Sequence, residues 1–335
     1  MATASAPPSL IYGAFSFARF EGAESLSYSN DEIRKVFDIL VENDIPVDTA
    51  RAYADNELTL GRLDAVEKGV KIHTKIPGFS PGCGKREKIL ENFKASLEAL
   101  KAKQVEVLYL HSPDPDPNTD LHETVDAIQE IYLSGGFKQW GFSNFSATEV
   151  EDAYNYAKSK GYVLPTIFSG NMSLFVRRPE TELLPTLRRL GISYAAYSPI
   201  AGGFLLLTPE KFKERLTAEY SRWNTAYWVG RTYNAVFHKP EYLRALEEWD
   251  RIATDSGISK IELAYRWILF HSVLDGAKED AVVFGASKFH QFEQTFKLLK
   301  EVKPLDEALV KRIDALWDIV KDVSPLDNYR AQFQK

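Results

Sequence analysis

Residues 105–114 read VEVLYLHSPD, and this segment indicates how the chain folds. It begins as a short apolar run rich in β-branched and aromatic residues, which is typical of a strand buried on both faces of a parallel sheet. The run ends at His111, so we expect a histidine at the carboxyl end of this strand. Similar short runs recur along the chain and alternate with longer amphipathic stretches.

Eight segments are interpreted as strands: Ile11–Phe15, Pro46–Thr49, Val70–Lys75, Val105–His111, Gln139–Ser143, Thr166–Ser169, Ser193–Ser198 and Ala281–Gly285. Helical spacing or capping residues predict helices at Asn30–Glu42, Lys85–Lys101, Asp120–Leu133, Ser146–Lys160, Pro179–Leu190, Pro240–Ser256 and Lys288–Lys300, with a C-terminal helix at Asp306–Val320. One continuous β–α rhythm favours a closed α/β barrel, the (β/α)8 or TIM barrel, over an open sheet. We therefore expect residues 1–335 to form one barrel domain.

The long segment Pro199–Lys239 separates the seventh strand from its helix, and it is rich in Trp, Tyr and Arg. A long loop at the carboxyl end of a barrel strand commonly forms part of a pocket. The alternative is a solvent-facing excursion that packs on its own aromatic residues.

Composition excludes several classes of protein. A net charge of −6, without any Lys/Arg run, gives no basic surface for nucleic acid. The single cysteine, Cys83, forms no internal disulfide, and Met1–Leu10 lacks the pattern of a signal peptide, so we expect a cytoplasmic protein. No apolar stretch is long enough to span a membrane. The six histidines include no metal-type pair, and no Gly-x-Gly-x-x-Gly follows a strand.

Four polar residues lie at or just after the ends of successive predicted strands: Asp48, Tyr53, Lys75 and His111. Each has an ordinary structural explanation, such as a helix cap, a rim aromatic, a solvated charge or a core histidine. In a barrel, however, these strand ends meet around one mouth, where active sites are found. We therefore expect the four side chains to converge.

Together the four residue types favour carbonyl reduction. A hydride that reaches a carbonyl carbon leaves negative charge on the oxygen, and a proton must be supplied there. We expect Tyr53 to donate that proton, with the Lys75 ammonium lowering the phenol pKa and Asp48 serving as the buried counter-ion. A neutral His111 can donate a hydrogen bond to the carbonyl oxygen.

Several segments resemble the signature blocks of the aldo-keto reductase superfamily over nearly the whole chain. The matching blocks are Asp48-Thr49-Ala50 with Tyr53, Thr74-Lys75, Leu110-His111-Ser112-Pro113-Asp114, Gly141-Phe142-Ser143-Asn144-Phe145, Tyr197-Ser198-Pro199-Ile200-Ala201-Gly202-Gly203 and Phe284-Gly285-Ala286-Ser287. The sequence looks most similar to the aflatoxin-aldehyde-reductase branch. The resemblance implies an NADP-dependent oxidoreductase that uses NADPH, with Asp48, Tyr53, Lys75 and His111 as the catalytic residues and no metal.

The resemblance also implies a set of cofactor-binding residues: Ser143, Asn144, Ser169, Tyr197, Ser198, Ile200, Gly202, Gly285, Ser287, Lys288, Gln291 and Gln294. Tyr197 would stack on the nicotinamide, and Ser143 and Asn144 would hold its carboxamide. Ser169 stands where relatives have a glutamine, so contact through water or help from Asn171 is expected. Ser287 and Lys288 would meet the adenosine 2′-phosphate at a helix N-terminus, whereas Gln291 replaces an arginine found in many relatives.

The candidate substrate-contacting residues, besides Tyr53 and His111, are Phe15, Trp223, Trp228, Arg231 and Tyr233. Their aromatic rings suit a flat or hydrophobic small-molecule aldehyde or ketone. Arg222 or Arg231 would pair with a substrate carboxylate, reach a cofactor phosphate or stack on Trp223, and the sequence leaves these alternatives open.

Three hypotheses remain open on sequence alone. The first is a monomeric or homodimeric carbonyl reductase. The second is a cofactor-binding regulatory protein with little turnover, similar to the potassium-channel β subunits of the same superfamily, and the departure at Ser169 is the feature that favours it. The third is a barrel enzyme of another class, such as an isomerase, for which the four strand-end residues would be a coincidence.

Overall fold

The structure is a computed structural model that describes residues 6–18, 28–219 and 221–333, without the side chains of Trp228 and Phe333. Eight parallel strands pair in sequence order and close into a barrel through pairing of the eighth strand with the first. The prediction of a (β/α)8 barrel is therefore confirmed. The strands are β1 Ser9–Gly13, β2 Val47–Asp48, β3 Ile72–Ile76, β4 Val105–Leu110, β5 Phe137–Ser143, β6 Ile167–Asn171, β7 Ser193–Tyr197 and β8 Ala281–Phe284.

Helices surround the barrel and follow the strands along the chain. In chain order they are α1 Asn30–Glu42, α2 Asn56–Arg62, α3 Arg86–Leu100, α4 Leu121–Leu133, α5 Ala147–Lys160, α6 Pro179–Glu182, α7 Leu184–Leu190, α8 Pro209–Arg215, α9 Trp228–Phe237, α10 Pro240–Ser256, α11 Lys260–Phe270, α12 Phe289–Glu301, α13 Glu307–Val320 and α14 Asn328–Phe333. Ser146 and Glu149 form the capping box predicted for α5, and Gly161 ends that helix with φ of 68°.

The barrel interior is a small layer of inward-facing side chains, distinct from the larger core between the strands and the helices. Val107 and Tyr109 on β4 belong to this interior layer, together with Ile167 on β6. Because side chains alternate along a strand, residues two positions apart point the same way. This alternation brings inward-facing side chains of neighbouring strands to one level at the carboxyl ends of the strands.

Several sequence-based boundaries are wrong, each for a local reason. The first strand ends at Gly13, because residues 14–17 turn into a 3-10 helix. Lys75 lies inside β3 and does not end it, since the strand continues to Ile76. The predicted helix Pro179–Leu190 is two helices that break at Leu183, two residues before Pro185, whose nitrogen cannot donate a helical hydrogen bond.

Helices α2, α11 and α14 were not predicted, and the segment Pro199–Lys239, which was predicted to be a loop, contains helices as well. That segment contains a 3-10 helix at residues 201–206 followed by α8 and α9. Its aromatic side chains form what we term the excursion core, which includes Phe204, Phe212, Trp223 and Phe237. Much of the segment Pro199–Lys239 therefore packs on its own aromatic residues, as the second alternative predicted.

Among the described residues, no helix is both long and apolar enough to cross a membrane. Within the same part of the chain, no group of three or more His, Cys, Asp or Glu side chains is arranged to hold a metal ion.

A buried histidine in β3 should make the stability of the fold depend on pH. His73 is 6% exposed, and burial lowers its pKa to about 3, with further lowering by the positive charges of Lys75 and Lys71. An unfolded histidine titrates near pH 6.5. When the pH is lowered from 7 to 5, therefore, the unfolded state takes up a proton at residue 73 that the folded state does not. The free energy of unfolding decreases as a result.

We expect His73 to account for a loss of about 2 kcal/mol of unfolding free energy between pH 7 and pH 5. The variant His73→Leu should lose about that much less over the same interval. Urea unfolding of both proteins at the two pH values measures the difference, and equal losses would contradict the prediction.

Candidate active site

An ion pair between Lys75 and Asp48 lies at the carboxyl end of the barrel. The Lys75 Nζ donates hydrogen bonds to the Asp48 Oδ1 and Oδ2 at 2.7 and 2.6 Å, and to the Thr49 carbonyl oxygen at 2.8 Å. Lys75 is 2% exposed and Asp48 is 7% exposed. Burial lowers the pKa of Lys75 and raises that of Asp48, and each shift is opposed by the partner's charge. The expected counter-ion is thus in place.

Tyr53 lies in the turn between β2 and α2, and this turn is held by buried polar contacts. The Thr49 Oγ1 donates to the Asn56 Oδ1 at 2.7 Å, and the Asn56 Nδ2 donates to the Ala14 carbonyl oxygen at 2.6 Å. The Tyr53 ring packs edge-on against Phe15, with 5.0 Å between ring centroids. The Lys75 Nζ lies 5.4 Å from the Tyr53 ring centroid. The phenol and the ammonium are therefore neighbours.

The expected lowering of the Tyr53 pKa by Lys75 is not what the structure gives. Burial raises the pKa of the Tyr53 phenol well above its ordinary value, and the negative charge of Asp48 raises it further. Burial is the larger cause, and Lys75 does not offset it because all three hydrogen bonds described for its ammonium go to Asp48 and the Thr49 carbonyl. Much of the lysine charge is thus compensated by the carboxylate before it acts on the phenol, which stays protonated.

His111 directly follows β4 and lies beside Tyr53, with the ring centroids 5.6 Å apart in an edge-to-face arrangement. Burial lowers the pKa of His111 well below its ordinary value, and the nearby positive charge of Lys75 lowers it further. The imidazole is consequently neutral. Its buried Nδ1 has no hydrogen-bond partner within the described structure. A neutral imidazole has one N–H, and therefore one hydrogen bond to donate.

Of the predicted carboxamide-binding residues, Asn144 is held on every side by protein groups. Its Nδ2 donates to the His111 carbonyl oxygen at 2.9 Å and to the Ser143 Oγ at 3.0 Å. Its Oδ1 accepts a hydrogen bond from the Tyr197 hydroxyl at 2.7 Å. Asn144 also has a left-handed backbone, with φ of 61°. The structure thus brings Ser143, Asn144 and Tyr197 together in one network.

Ser169 and Asn171 lie on β6, where Ser169 pairs with Ser143 in the neighbouring strand and Asn171 pairs with Tyr197. Both are 1% exposed. Since Ile167 belongs to the interior layer, the alternation along the strand makes Ser169 and Asn171 face the same way. The Asn171 Oδ1 is buried and has no hydrogen-bond partner among the described residues.

The segment after β7 combines several left-handed backbone positions. Ser198, Ala201, Gly202 and Gly203 have φ values of 59°, 52°, 63° and 95°. Positive φ is strained for residues with a Cβ, and such strain is concentrated at functional sites. Ile200 lies within this same turn as a partly buried residue. On the neighbouring β8, Gly285 follows the strand end directly.

The predicted phosphate-binding residues gather at the start of α12. Ser287 and Lys288 are exposed there, and Lys288 occupies the N-cap position without making a side-chain cap. The Gln291 Oε1 accepts a hydrogen bond from the Ser287 backbone N–H at 3.2 Å, so Gln291 serves as a local cap. Gln294 is exposed one turn along the helix.

The predicted substrate residues divide between the site and the excursion core. Phe15 contacts Tyr53, as described above. Trp223 is 4% exposed, and its ring lies 5.4 Å from that of Tyr233. Arg231 is exposed, and its Nη1 donates to the carbonyl oxygens of Thr225 and Ala226 at 3.2 and 3.1 Å. The side chain of Trp228 lies outside the described part of the structure.

Arg222 bridges the excursion and the loop after β7. Its Nη1 donates to the Gly202 carbonyl oxygen at 3.0 Å, and its guanidinium lies 5.7 Å from the Tyr233 ring centroid. In the described structure Arg222 thus stacks on Tyr233, and not on Trp223 as one of the alternatives predicted.

Four residues at the mouth were missed by sequence reasoning: Phe79, Asn328, Tyr329 and Arg330. The Phe79 ring lies 5.3 Å from the His111 ring and 5.9 Å from that of Tyr329. The Asn328 Oδ1 accepts a hydrogen bond from the Asn171 Nδ2 at 3.0 Å, and the Arg330 Nη1 donates to the Asn144 carbonyl oxygen at 3.0 Å. No local pattern signals the contacts of Asn328, Tyr329 and Arg330, because their partners Asn171, Phe79 and Asn144 lie over a hundred residues away in sequence.

Residues 9–318 of the chain match the aldo/keto reductase family. Oxidoreductase sirO of Leptosphaeria maculans is 40% identical over 324 residues, which cover 95% of this chain and 96% of that protein. Aflatoxin B1 aldehyde reductase member 2 is 33% identical in both Rattus norvegicus and Homo sapiens, over 83% of this chain and 78% and 79% of those proteins.

The barrel and these relatives define the chain as an oxidoreductase of the TIM-barrel class. More specifically, it belongs to the aldo/keto reductase family, as its signature blocks predicted. The similarity to aflatoxin aldehyde reductases also confirms the predicted branch. These relatives favour an enzyme over the regulatory and isomerase alternatives.

Tyr109 contacts the ion pair from inside the barrel. We expect its aromatic ring to stabilise the fold and its hydroxyl to destabilise it. The Lys75 Nζ lies 5.6 Å from the Tyr109 ring centroid, so the ring stabilises the ammonium. The fully buried hydroxyl, in contrast, has no hydrogen-bond partner in the described structure.

We expect Tyr109→Phe to raise the unfolding free energy by up to about 1 kcal/mol, because it removes a buried unpaired hydroxyl and keeps the ring. Tyr194→Phe is the matched control, since the buried Tyr194 hydroxyl donates to the Asn171 carbonyl oxygen at 3.1 Å. The free energy of unfolding of Tyr194→Phe should be lower than that of the wild type by about 1 kcal/mol, because this variant loses a buried hydrogen bond. Urea unfolding distinguishes the two signs, and a loss in Tyr109→Phe would show that its hydroxyl is paired in solution.

Proposed function

We propose that this chain reduces an aldehyde or ketone to an alcohol, with NADPH as the hydride donor and Tyr53 as the general acid. The observation that carries the proposal is the convergence of the Tyr53 and His111 rings, 5.6 Å apart, beside the buried Lys75–Asp48 pair in a member of the aldo/keto reductase family. The reaction would correspond to an NADP-dependent alcohol dehydrogenase running in the reductive direction.

The residues at the mouth fit a phosphorylated dinucleotide. Positive φ at Ser198 and Gly202 suits a turn that directs backbone N–H groups towards a diphosphate. The start of α12, with the exposed Lys288, suits a further phosphate through the helix dipole and a cation. When bound, NADPH would supply the hydride, and Tyr197, Ser143 and Asn144 would hold its nicotinamide.

The protonation states of the chain's own groups suit reduction. Because burial raises the pKa of Tyr53, the phenol keeps its proton until an alkoxide, a much stronger base, develops beside it. The neutral His111 can donate its single N–H to the carbonyl oxygen, which orients and polarises it. The fixed positive charge of Lys75 then stabilises the phenolate that Tyr53 becomes.

The walls near Tyr53 and His111 favour a flat or hydrophobic carbonyl compound. Phe15 packs against Tyr53, and Phe79 packs against His111. We propose a small-molecule substrate of this kind, handled by a monomer or homodimer in the cytoplasm. The cytoplasmic part of the proposal is supported by the single cysteine, Cys83, which has no disulfide partner and so fits a reducing compartment.

The variant Tyr53→Phe tests the proposed general acid. It keeps the ring that packs on Phe15 and removes only the proton donor, so we expect turnover of aromatic aldehydes to fall by about 100-fold or more. NADPH binding should stay within about two-fold of wild type, since the phenol is not assigned to the cofactor, and a two-fold change is only about 0.4 kcal/mol.

NADPH oxidation followed at 340 nm across a carbonyl panel measures the effect. Tyr132→Phe on the outer helix α4, where the side chain is 40% exposed, serves as the control. Wild-type turnover in Tyr53→Phe would refute the assigned acid. Tight NADPH binding by the wild type without any turnover would favour a regulatory role instead.

The variant Lys288→Gln tests the preference for NADPH. If the Lys288 ammonium meets the 2′-phosphate, the variant should bind NADPH about ten-fold more weakly and NADH unchanged, since a charge-assisted hydrogen bond contributes about 1.5 kcal/mol or more.

Lys85→Gln is the matched control, because Lys85 is likewise an exposed N-cap residue without a side-chain cap, at α3. Fluorescence titration with both nucleotides gives the affinities. Equal weakening of NADPH and NADH in Lys288→Gln would argue against the assignment.

A further inference from the structure

The short helix α14, with the turn before it, reaches three separate parts of the barrel mouth. Asn328 binds the side chain of Asn171 at the end of β6, and Arg330 binds the backbone carbonyl of Asn144 after β5. Between them, the Tyr329 ring contacts Phe79, which in turn contacts His111. Three successive residues thus engage elements that carry the proposed active site.

The two amide side chains at this mouth differ in what they still offer to a ligand. All hydrogen-bonding atoms of the Asn144 side chain are engaged by His111, Ser143 and Tyr197. Asn171, in contrast, donates through its Nδ2 to Asn328 and keeps a buried Oδ1 without a partner in the described structure. A buried acceptor left unpaired is costly, so this oxygen is suited to a donor supplied from outside the protein.

Ser169 lies two residues before Asn171 on the same strand face. The resemblance to the aldo-keto reductases implies a glutamine at its position in relatives. A serine side chain lacks one methylene group and the amide carbon of a glutamine, so its hydroxyl cannot span the same distance. Asn171 carries an amide instead, one layer nearer the mouth and in register with Tyr197. The amide of this strand end therefore lies one inward-facing position beyond Ser169.

Arg330 is restrained by charge as well as by geometry. Its Nη2 donates to the Glu149 Oε2 at 2.8 Å, and its Nη1 donates to the Asp327 Oδ2 at 2.5 Å as well as to the Asn144 carbonyl oxygen. The side chain is 15% exposed. With two carboxylates engaged, this guanidinium is better suited to holding the left-handed backbone of Asn144 than to binding an anionic substrate.

We propose that Asn171 supplies the hydrogen-bond acceptor for the nicotinamide carboxamide NH2, that Asn328 orients it, and that Arg330 fixes Asn144 beside it. This inference rests on the proposed use of NADPH. It assigns Asn171 to direct cofactor contact, and Asn328 and Arg330 to positioning.

Binding measurements with nucleotide fragments test the proposal independently of turnover. Isothermal titration calorimetry of Asn171→Leu should show NADP+ bound about ten-fold more weakly, the effect expected for one lost hydrogen bond that leaves a buried group unpaired. Adenosine 2′,5′-bisphosphate, which lacks the nicotinamide, should bind as in wild type. The 3-acetylpyridine analogue of NADP+ has a methyl group in place of the NH2, so wild type should bind it more weakly than NADP+, whereas Asn171→Leu should bind the two alike.

The positioning residues are tested with matched variants. Arg330→Gln should weaken NADP+ several-fold and leave adenosine 2′,5′-bisphosphate unchanged, because loss of its hydrogen bond to Asn144 loosens only the nicotinamide end. Arg266→Gln is the control, since Arg266 is 17% exposed and also binds one carboxylate and two backbone carbonyls, in α11. Asn328→Leu should weaken NADP+ as Asn171→Leu does, and Asn328→Asp should restore binding, because aspartate still accepts from the Asn171 Nδ2.

The possible results distinguish the roles of Asn171 and Arg330 from the use of NADPH as such. NADP+ affinity that is unchanged in Asn171→Leu, or reduced equally for the bisphosphate, overturns the role of Asn171 and leaves NADPH as cofactor. An equal loss of NADP+ affinity in Arg330→Gln and Arg266→Gln overturns the role of Arg330. Failure of the wild type to bind NADP+ at all overturns the proposed function and this inference with it.

Discussion

The buried ion pair between Lys75 and Asp48 is the interaction on which the rest of the site depends. Each charge alone would be very unfavourable at this depth, and burial accordingly shifts both pKa values towards the neutral forms. The pair persists because the ammonium has three acceptors and two aromatic faces, those of Tyr53 and Tyr109. The result is a fixed pair of charges beside the phenol. Burial lowers the pKa of His111, and the positive charge of Lys75 lowers it further, so the imidazole stays neutral.

The closed barrel makes this arrangement possible, because it brings consecutive strand ends to one level. Asp48, Lys75 and His111 come from three neighbouring strands or their ends, yet the chain between them is devoted to helices outside the barrel. Rigid strands thus fix the charged groups, whereas Tyr53 and Phe79 are carried by turns. The groups held by the strands, Asp48, Lys75 and His111, are therefore the ones whose charges set the protonation states in the site.

The sequence predicted the barrel and the convergence of its four strand-end residues because both follow from local periodicity. Apolar runs ending in polar residues are visible without any knowledge of pairing. The sign of the Tyr53 pKa shift was not predictable, since it depends on how completely the phenol is buried and on how close it lies to the Asp48 carboxylate. The contacts of Asn328 and Arg330 were likewise hidden, because α14 is short and its partners are distant along the chain. Helices α8 and α9 were missed because they are short, with 7 and 10 residues, and because Gly230 lies inside α9.

The excursion core has a consequence for how the protein can diversify. Phe204, Phe212, Trp223 and Phe237 bury one another, and the segment is tied to α10 and α11 through hydrogen bonds from Trp249 to the Leu205 carbonyl and from Lys260 to the Leu207 carbonyl. It is anchored to these outer helices, and Phe204 also packs against Phe175 in the segment after β6, with 6.2 Å between ring centroids. Changes of length or sequence there can reshape the rim while the proton-handling groups keep their positions, so substrate range and acid–base chemistry are free to evolve separately.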